Sequence, residues 1–246
     1  MLVSGSSQGI GNIIARTFLE NGDKVLINAT NKINLSKAYK KLCNEFDKSN
    51  VIAIDGDISS LKTLKKIKVQ VIKKWGGINV IIANAGRVRS VNGKTLGNND
   101  MFRSNFFPAY KFANFFLRDL KKSKYGSIVF ISSIAAITKT SANKGFINAK
   151  FKINKFAKKL SLKLAKENIN VNVLAPGNIY IKNGNWDLKM KSNKIKVLKY
   201  IKNNVPMQRF GYPEEVANLC IFLTLSNSRF ITGQIIAVDG GQSLKK

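Results

Sequence analysis

The reactions open to this chain are limited first by a side chain that it lacks. Its 246 residues include no histidine, which removes imidazole as an acid, a base or a metal ligand. Serine, lysine, tyrosine and the carboxylates are left to carry any chemistry. The two cysteines, Cys43 and Cys220, lie far apart in the sequence and form no metal-ligand spacing. We therefore expect no metal centre, and we expect both thiols to be buried in a reducing cytoplasm.

A glycine-rich stretch near the start of the chain has the composition of a phosphate-binding turn. Its glycines follow the spacing G-xxx-G-x-G, between a short apolar run and a helical pattern. Glycine permits the tight turn and the close approach of a pyrophosphate, which then lies at the N-terminus of the helix. We predict a nucleotide-binding loop formed by Gly5, Ser7, Gln8, Gly9, Ile10 and Gly11.

The elements that must position this loop follow from alternating hydrophobic patterns. Continuous apolar runs, typical of strands buried on both faces, alternate with segments whose apolar residues repeat at helical spacing. This alternation predicts an α/β fold, with a doubly wound parallel sheet of about seven strands and helices on both faces. We expect one domain over residues 1–246, with an irregular inserted segment at about residues 178–206. The predicted strands are Leu2–Ser4, Lys24–Ala29, Val51–Asp55, Asn79–Ala83, Ser127–Ser132, Asn170–Leu174 and Gln234–Val238.

The chain is strongly basic. It has 42 Lys and Arg against 13 Asp and Glu, a formal net charge of +29, and such a protein could bind nucleic acid or steer an acidic substrate. The lysines recur on the polar sides of nearly every predicted helix, without a basic tail or a nucleic-acid motif. We therefore favour a solvated basic surface over a nucleic-acid function. No apolar run approaches the ~18 residues of a membrane helix and no signal-peptide pattern is visible, so we expect a cytoplasmic protein.

Together with four further segments, the glycine loop resembles the short, single-domain branch of the short-chain dehydrogenase/reductase family, and in particular its 3-oxoacyl-carrier-protein reductases. The segments are Asp57-Ile58, Ala83-Asn84-Ala85-Gly86, Pro176-Gly177-Asn178-Ile179 and residues 233–241. The resemblance covers essentially the whole chain and implies a Rossmann-type fold that binds a nicotinamide dinucleotide. It implies further cofactor contacts from Asp57, Ile58, Asn84, Ala85, Gly86, Lys150, Pro176, Gly177 and Ile179.

The resemblance also implies a catalytic set of Asn, Ser, Tyr and Lys, of which one member is replaced. Asn105, Ser133 and Lys150 match the family's positions, but Phe146 stands where the tyrosine is expected, four residues before the lysine. In the family the tyrosine hydroxyl gives a proton to the substrate oxygen, the serine holds that oxygen, and the nearby ammonium lowers the hydroxyl pKa. Loss of a positioned general acid typically costs about 10²–10⁴ in rate.

A second departure from the family pattern follows the sixth predicted strand. The family usually has threonine there, where it helps to hold the cofactor, and this chain has Ile181. The neighbouring Tyr180 offers a hydroxyl that could point toward the site instead.

The cofactor preference is read from the end of the second strand. An acid at that point would bind a ribose 2′-hydroxyl and favour NAD, but none is present. Thr30 and Lys32 suit a 2′-phosphate, so we prefer NADP over NAD. Gln8 argues against that preference, because NADP-using relatives often have Lys or Arg at its position.

Four interpretations of the function stay open. The chain is an oxidoreductase that reduces a carbonyl or oxidises an alcohol, a dinucleotide-binding pseudoenzyme, an engineered Tyr-to-Phe variant of an active reductase, or a nucleic-acid binder. The inserted segment, with Trp186 and several lysines, is expected to cover an anionic or carrier-linked substrate. The resemblance further implies a homo-oligomer, a tetramer or a dimer, assembled through long helices at about residues 99–122 and 145–167.

Overall fold

The computed structural model describes residues 1–87 and 94–245. Within these ranges the chain forms strands at all seven predicted places. Their bounds are β1 Leu2–Ser4, β2 Val25–Ala29, β3 Val51–Asp55, β4 Val80–Ala83, β5 Gly126–Ile131, β6 Ile169–Pro176 and β7 Ile235–Val238. Every named pairing between them is parallel, and the order across the sheet is β3-β2-β1-β4-β5-β6-β7. The predicted doubly wound parallel fold is therefore confirmed.

The strand order reverses direction beside β1. This strand pairs with β2 on one side and with β4 on the other, although β4 comes much later in the chain. Ligands of open α/β sheets bind outside the carboxyl ends of the strands at such a reversal. The glycine loop follows β1 directly, so the topology places it at this point.

Helices connect the strands. They are α1 Gly9–Glu20, α2 Lys32–Glu45, α3 Leu61–Trp75, α4 Asn98–Leu120, α5 Lys144–Leu164, α6 Asn185–Ser192, α7 Lys194–Asn204 and α8 Pro213–Phe222. The two long helices α4 and α5 lie where they are predicted, within a few residues at each end. The inserted segment at residues 178–206 contains α6 and α7, with Val197 and Ile201 buried on α7.

Two apolar cores cover the two faces of the sheet. One combines buried side chains of α3, α4 and α5 with those of the strands, including Phe112, Phe116 and Phe130. The other is formed by α1, α2 and α8 and includes Phe18. Cys220 is buried in this second core, whereas Cys43 on α2 is partly exposed. The prediction of two buried thiols is therefore wrong for Cys43, because its side of α2 borders solvent. None of the helices in the described ranges has the length and apolar character that a membrane crossing requires.

Candidate active site

The glycine loop between β1 and α1 is built for close approach of backbone. Gly5 and Gly9 have φ values of +63° and +61°, in the left-handed region that glycine adopts without strain. A Cβ atom on Gly5 would lie 2.8 Å from the Cα of Ala85, and one on Gly11 would lie 2.5 Å from the carbonyl oxygen of Gly5. Larger residues at Gly5 or Gly11 would therefore push the loop away from β4 and distort the first turn of α1.

Asn84 and Ser4 fasten this loop to the end of β4. The Asn84 side-chain nitrogen donates to the carbonyl oxygens of Ser4 at 3.1 Å and Gly5 at 2.9 Å. The Ser4 hydroxyl oxygen in turn accepts the backbone N–H groups of Asn84 and Ala85, both at 3.1 Å. The amide N–H groups of Asn84 therefore shape the loop, and the cofactor contact that the resemblance implies for Asn84 stays a prediction.

A cleft of about 850 Å³ opens beside the glycine loop at the carboxyl edge of the sheet. Its walls include eight of the predicted cofactor residues, namely Gly5, Ser7, Gln8, Thr30, Asp57, Ile58, Ala85 and Gly86. Gly9, Ile10 and Gly11 belong to the same loop and to the first turn of α1 without lining the cleft. The tight glycine turn, the helix N-terminus and the size of the cleft fit a dinucleotide.

The charged wall of the cleft differs from the one expected from sequence. Arg87, Arg103 and Lys111 line it, from the β4–α4 connection and from α4. Lys32, which we expected to face a 2′-phosphate, does not line it; it is the exposed first residue of α2 and lies near Asp55. Its contact with a 2′-phosphate therefore stays a prediction. No spacing signal in the sequence pointed to the three cations on the opposite wall.

The loop that follows β6 closes toward the glycine loop. Gly177 lies against the end of β7, where its N–H donates to the carbonyl oxygen of Val238 at 3.0 Å. Farther along, the Ile181 Cδ1 atom would lie 3.5 Å from a Cβ on Gly9, so the two loops are neighbours. Of the other residues predicted in this loop, Pro176 ends β6 and Ile179 is buried beside a small separate cavity.

Asn105 lies where the β4–α4 connection meets α4. Its side chain is buried, and its Nδ2 atom donates to the carbonyl oxygens of Arg87 at 2.8 Å and Met101 at 2.9 Å. A Cβ on Gly86 would collide with the Asn105 Oδ1 atom and would lie 3.6 Å from the Lys150 Nζ atom. Asn105 and Lys150 therefore flank Gly86, which ends one of the predicted motifs.

Ser133 and the Lys150 side chain both lie at the carboxyl end of β5. Ser133 precedes a short 3₁₀ turn, and its hydroxyl oxygen accepts the Ala135 N–H at 3.2 Å, which leaves the hydroxyl proton free to donate. The Lys150 side chain is buried at 5% exposure, and its Nζ atom donates to the carbonyl oxygen of Ile131 at 2.9 Å. Burial lowers the Lys150 pKa to about 8, because an ammonium loses hydration in the protein interior.

Phe146 is one turn before Lys150 on α5. The helix begins beneath it with an Asn143 cap, whose side-chain oxygen accepts the N–H groups of Gly145 at 2.8 Å and Phe146 at 3.2 Å. The centre of the Phe146 ring lies 5.6 Å from the Lys150 Nζ atom. The ring therefore occupies the place beside the ammonium that the resemblance implies for the tyrosine, without its hydroxyl.

Tyr180 does not replace the missing hydroxyl. Its phenolic O–H donates to the Asp187 Oδ1 atom at 2.6 Å, and the second Asp187 oxygen accepts the Asn183 N–H at 2.9 Å. The hydrogen bond to Asp187 raises the pKa of Tyr180, so the phenol holds its proton more firmly than usual. The alternative that Tyr180 points into the site is therefore wrong, because its hydroxyl is hydrogen-bonded to Asp187 within the inserted segment.

Comparisons with known proteins agree with this architecture. A family model described as enoyl-(acyl carrier protein) reductase matches residues 5–243. The 3-oxoacyl-[acyl-carrier-protein] reductase of Buchnera aphidicola subsp. Acyrthosiphon pisum is 30% identical over 245 residues, which cover 97% of this chain and 95% of the relative.

Two solved structures have the same fold. L-sorbose reductase from Gluconobacter frateurii, complexed with NADPH and L-sorbose, is 25% identical with a TM-score of 0.87, covering 100% of this chain and 96% of that one. YwfH, an NADPH-dependent reductase involved in bacilysin biosynthesis, is 26% identical with a TM-score of 0.87, covering 100% of this chain and 98% of that one.

The parallel sheet, the glycine loop at its reversal and the family match define a nucleotide-binding oxidoreductase fold. This chain belongs to the short-chain dehydrogenase/reductase family and resembles its 3-oxoacyl-[acyl-carrier-protein] reductases.

Proposed function

We propose that this protein is a slow, NADP(H)-dependent carbonyl reductase, which also runs in the direction of alcohol oxidation. One observation carries the proposal. Gly86 lines the glycine-loop cleft and also lies beside the buried Lys150, so the cleft and the lysine are neighbours at one edge of the sheet. A reduced nicotinamide, when bound, supplies the hydride. The chain must then hold the dinucleotide, orient the carbonyl and provide a proton for its oxygen.

The residues present divide this work. The glycine loop would hold the pyrophosphate at the N-terminus of α1, and Ser133 would donate its hydrogen bond to the carbonyl oxygen. Lys150 would hold ribose hydroxyls through its ammonium. Phe146 adds an apolar wall but has no proton to give, so the reduction is expected to be slow by about 10²–10⁴ compared with a site that has the hydroxyl.

NADP is the preferred dinucleotide. The end of β2 carries Thr30 and no carboxylate, so nothing there repels a 2′-phosphate, and three cations line the cleft against two acids, Asp57 and Asp100. Two reductases with the same fold are described with NADPH as their cofactor.

Fluorescence titration with NADPH and NADH tests the cofactor assignment. We expect tighter binding of NADPH, and we expect Thr30→Asp to weaken NADPH binding at least about tenfold while sparing NADH, because a new carboxylate repels the phosphate. Lys32→Ala is the matched control, with a change below about threefold since Lys32 does not line the cleft. Failure of both dinucleotides to bind would overturn the proposed function, and preference for NADH would overturn the assignment of NADP.

The substrate proposed is an anionic or carrier-linked carbonyl compound. The inserted segment exposes seven lysines beside the loop after β6, with Asp187 as its acid. They are Lys182, Lys189, Lys191, Lys194, Lys196, Lys199 and Lys202. Such a surface attracts an acidic substrate or an acidic carrier. Turnover with 3-oxoacyl thioesters, ketones and keto-sugars would discriminate among these classes.

We also propose a cytoplasmic homotetramer that assembles through α4 and α5. The exposed aromatic residues Phe107, Tyr110 and Phe151 on these helices favour such an interface. Light scattering near physiological salt should give a mass of several chains, and a mass of about 27.3 kDa would contradict the assembly.

A second candidate is a dinucleotide-binding protein without catalytic activity. Phe146 beside Lys150 is the observation that favours it. Binding of NADPH without turnover of any substrate, and without gain from restoring the hydroxyl, would support this candidate.

A further inference from the structure

The groups that could take over the role of the missing hydroxyl can be compared as proton donors. Tyr180 is committed to Asp187 at 2.6 Å, and its pKa is raised by that hydrogen bond. The Asn105 amide donates to two carbonyl oxygens, and an amide or the alcohol of Ser133 is too weak an acid to release a proton near neutral pH. Residues 88–93, outside the described ranges, contain no carboxyl, phenol, thiol or lysine.

Lys150 differs from all of these groups. Among the described residues it is the only buried lysine, and its Nζ atom lies 5.6 Å from the centre of the Phe146 ring. One of the three ammonium protons is directed to the Ile131 carbonyl oxygen at 2.9 Å, and within residues 1–87 and 94–245 the other two have no protein acceptor. Burial also makes the ammonium a stronger acid, since its pKa falls to about 8.

We propose that the Lys150 ammonium is itself the proton donor for carbonyl reduction in this protein, directly or through one water in the space that a tyrosine hydroxyl would fill. As the carbonyl carbon receives hydride from a reduced nicotinamide dinucleotide, the π electron pair of the C=O bond moves to oxygen. One N–H bond of Lys150 breaks while the O–H bond of the alcohol forms. Lys150 is left as a neutral amine, and water returns its proton. This inference rests on the proposed function.

A cycle of four proteins tests the donor: the natural chain, Lys150→Arg, Phe146→Tyr and the double variant. Arginine keeps the positive charge and the hydrogen bonds but does not release a proton in proteins. We expect Lys150→Arg to lower kcat of the natural chain at least about 30-fold. In the Phe146→Tyr background the same change should cost at least about tenfold less, because a phenol then supplies the proton.

Two measurements and two further variants keep the cycle interpretable. NADPH titration of each variant separates binding from proton transfer, and thermal unfolding reports whether the buried arginine is accepted. If the Lys150→Arg variants fail to fold, Lys150→Met takes their place in the cycle, because methionine has a similar length and no charge. Lys152→Arg, on the exposed side of the same helix, is the matched control and should change kcat by less than about twofold.

The outcomes separate the inference from the proposed function. Intact NADPH binding with a larger loss in the Phe146 background supports Lys150 as the donor. Equal losses in both backgrounds would overturn it, since Lys150 would then only position other groups. Intact binding with no turnover by the natural chain would overturn both the proposed reductase function and this inference, and would favour the non-catalytic dinucleotide-binding candidate. Absence of binding in the natural chain would overturn the proposed function itself.

Discussion

The two ends of the candidate site, the glycine loop and the residues around Lys150, differ in what they retain. At the glycine-loop end, backbone and side chains fit closely: Asn84 and Ser4 hold the loop by four hydrogen bonds of 2.9–3.1 Å. At the other end, beside Gly86, Ser133 and Lys150 stand at the places that the resemblance implies, but the ring one turn before Lys150 is Phe146. Binding a dinucleotide depends mainly on backbone shape, whereas proton transfer depends on one atom. A site of this kind can therefore bind a dinucleotide even where the usual proton donor is absent.

The largest effect is expected from breaking the glycine-loop end. Gly11→Ala would drive a methyl group into the Gly5 carbonyl oxygen at 2.5 Å and into the Asn84 side chain. We expect NADPH binding to weaken at least about 10³-fold, because the loop must shift from the N-terminus of α1. Gly77→Ala is the matched control, since a Cβ there meets no atom within 4 Å. Unchanged binding by Gly11→Ala would show that this loop does not hold the cofactor.

At the Lys150 end, adding the single hydroxyl oxygen of a tyrosine is expected to raise kcat. Phe146→Tyr should raise kcat about 100-fold, because the new hydroxyl would belong to a ring whose centre lies 5.6 Å from the Lys150 Nζ atom, and a nearby ammonium lowers its pKa. Phe230→Tyr, which adds the same atom to a fully exposed ring that does not line the cleft, should leave kcat unchanged. NADPH consumption with a panel of carbonyl compounds measures both. Equal rates for all three proteins would place the proton donor elsewhere.

A smaller effect should distinguish proton transfer from dinucleotide binding by the pH dependence of kcat. In the natural chain kcat should fall about tenfold per pH unit once pH rises through about 8, because the Lys150 ammonium is then deprotonated. The groups beside the ammonium, the Ile131 carbonyl that accepts its hydrogen bond and the Asn105 side chain across Gly86, are uncharged, and burial is the cause of its low pKa. NADPH affinity should change by less than about threefold over the same range. A constant kcat through pH 8 would contradict this assignment.

Local sequence patterns were sufficient to predict the strands, the long helices and the glycine loop. Apolar runs and helical spacing predicted the seven strands and the long helices α4 and α5, because burial on both faces of a parallel sheet requires such runs. The glycine spacing predicted the loop after β1, since only glycine tolerates φ near +60° and the contact with Ala85. The absence of the tyrosine hydroxyl at Phe146 is likewise a fact of the sequence.

The directions of individual side chains depended on contacts between distant segments. Lys32 and Tyr180 have suitable chemistry in the sequence, yet one sits on the outside of α2 and the other is hydrogen-bonded to Asp187. Arg103 and Lys111 carry no motif, but the packing of α4 brings them to the wall of the cleft. The low pKa of Lys150 arises from burial against β5, nineteen residues earlier in the chain. Residue type and spacing specify which groups are available, whereas desolvation and orientation exist only once the helices have packed on the sheet.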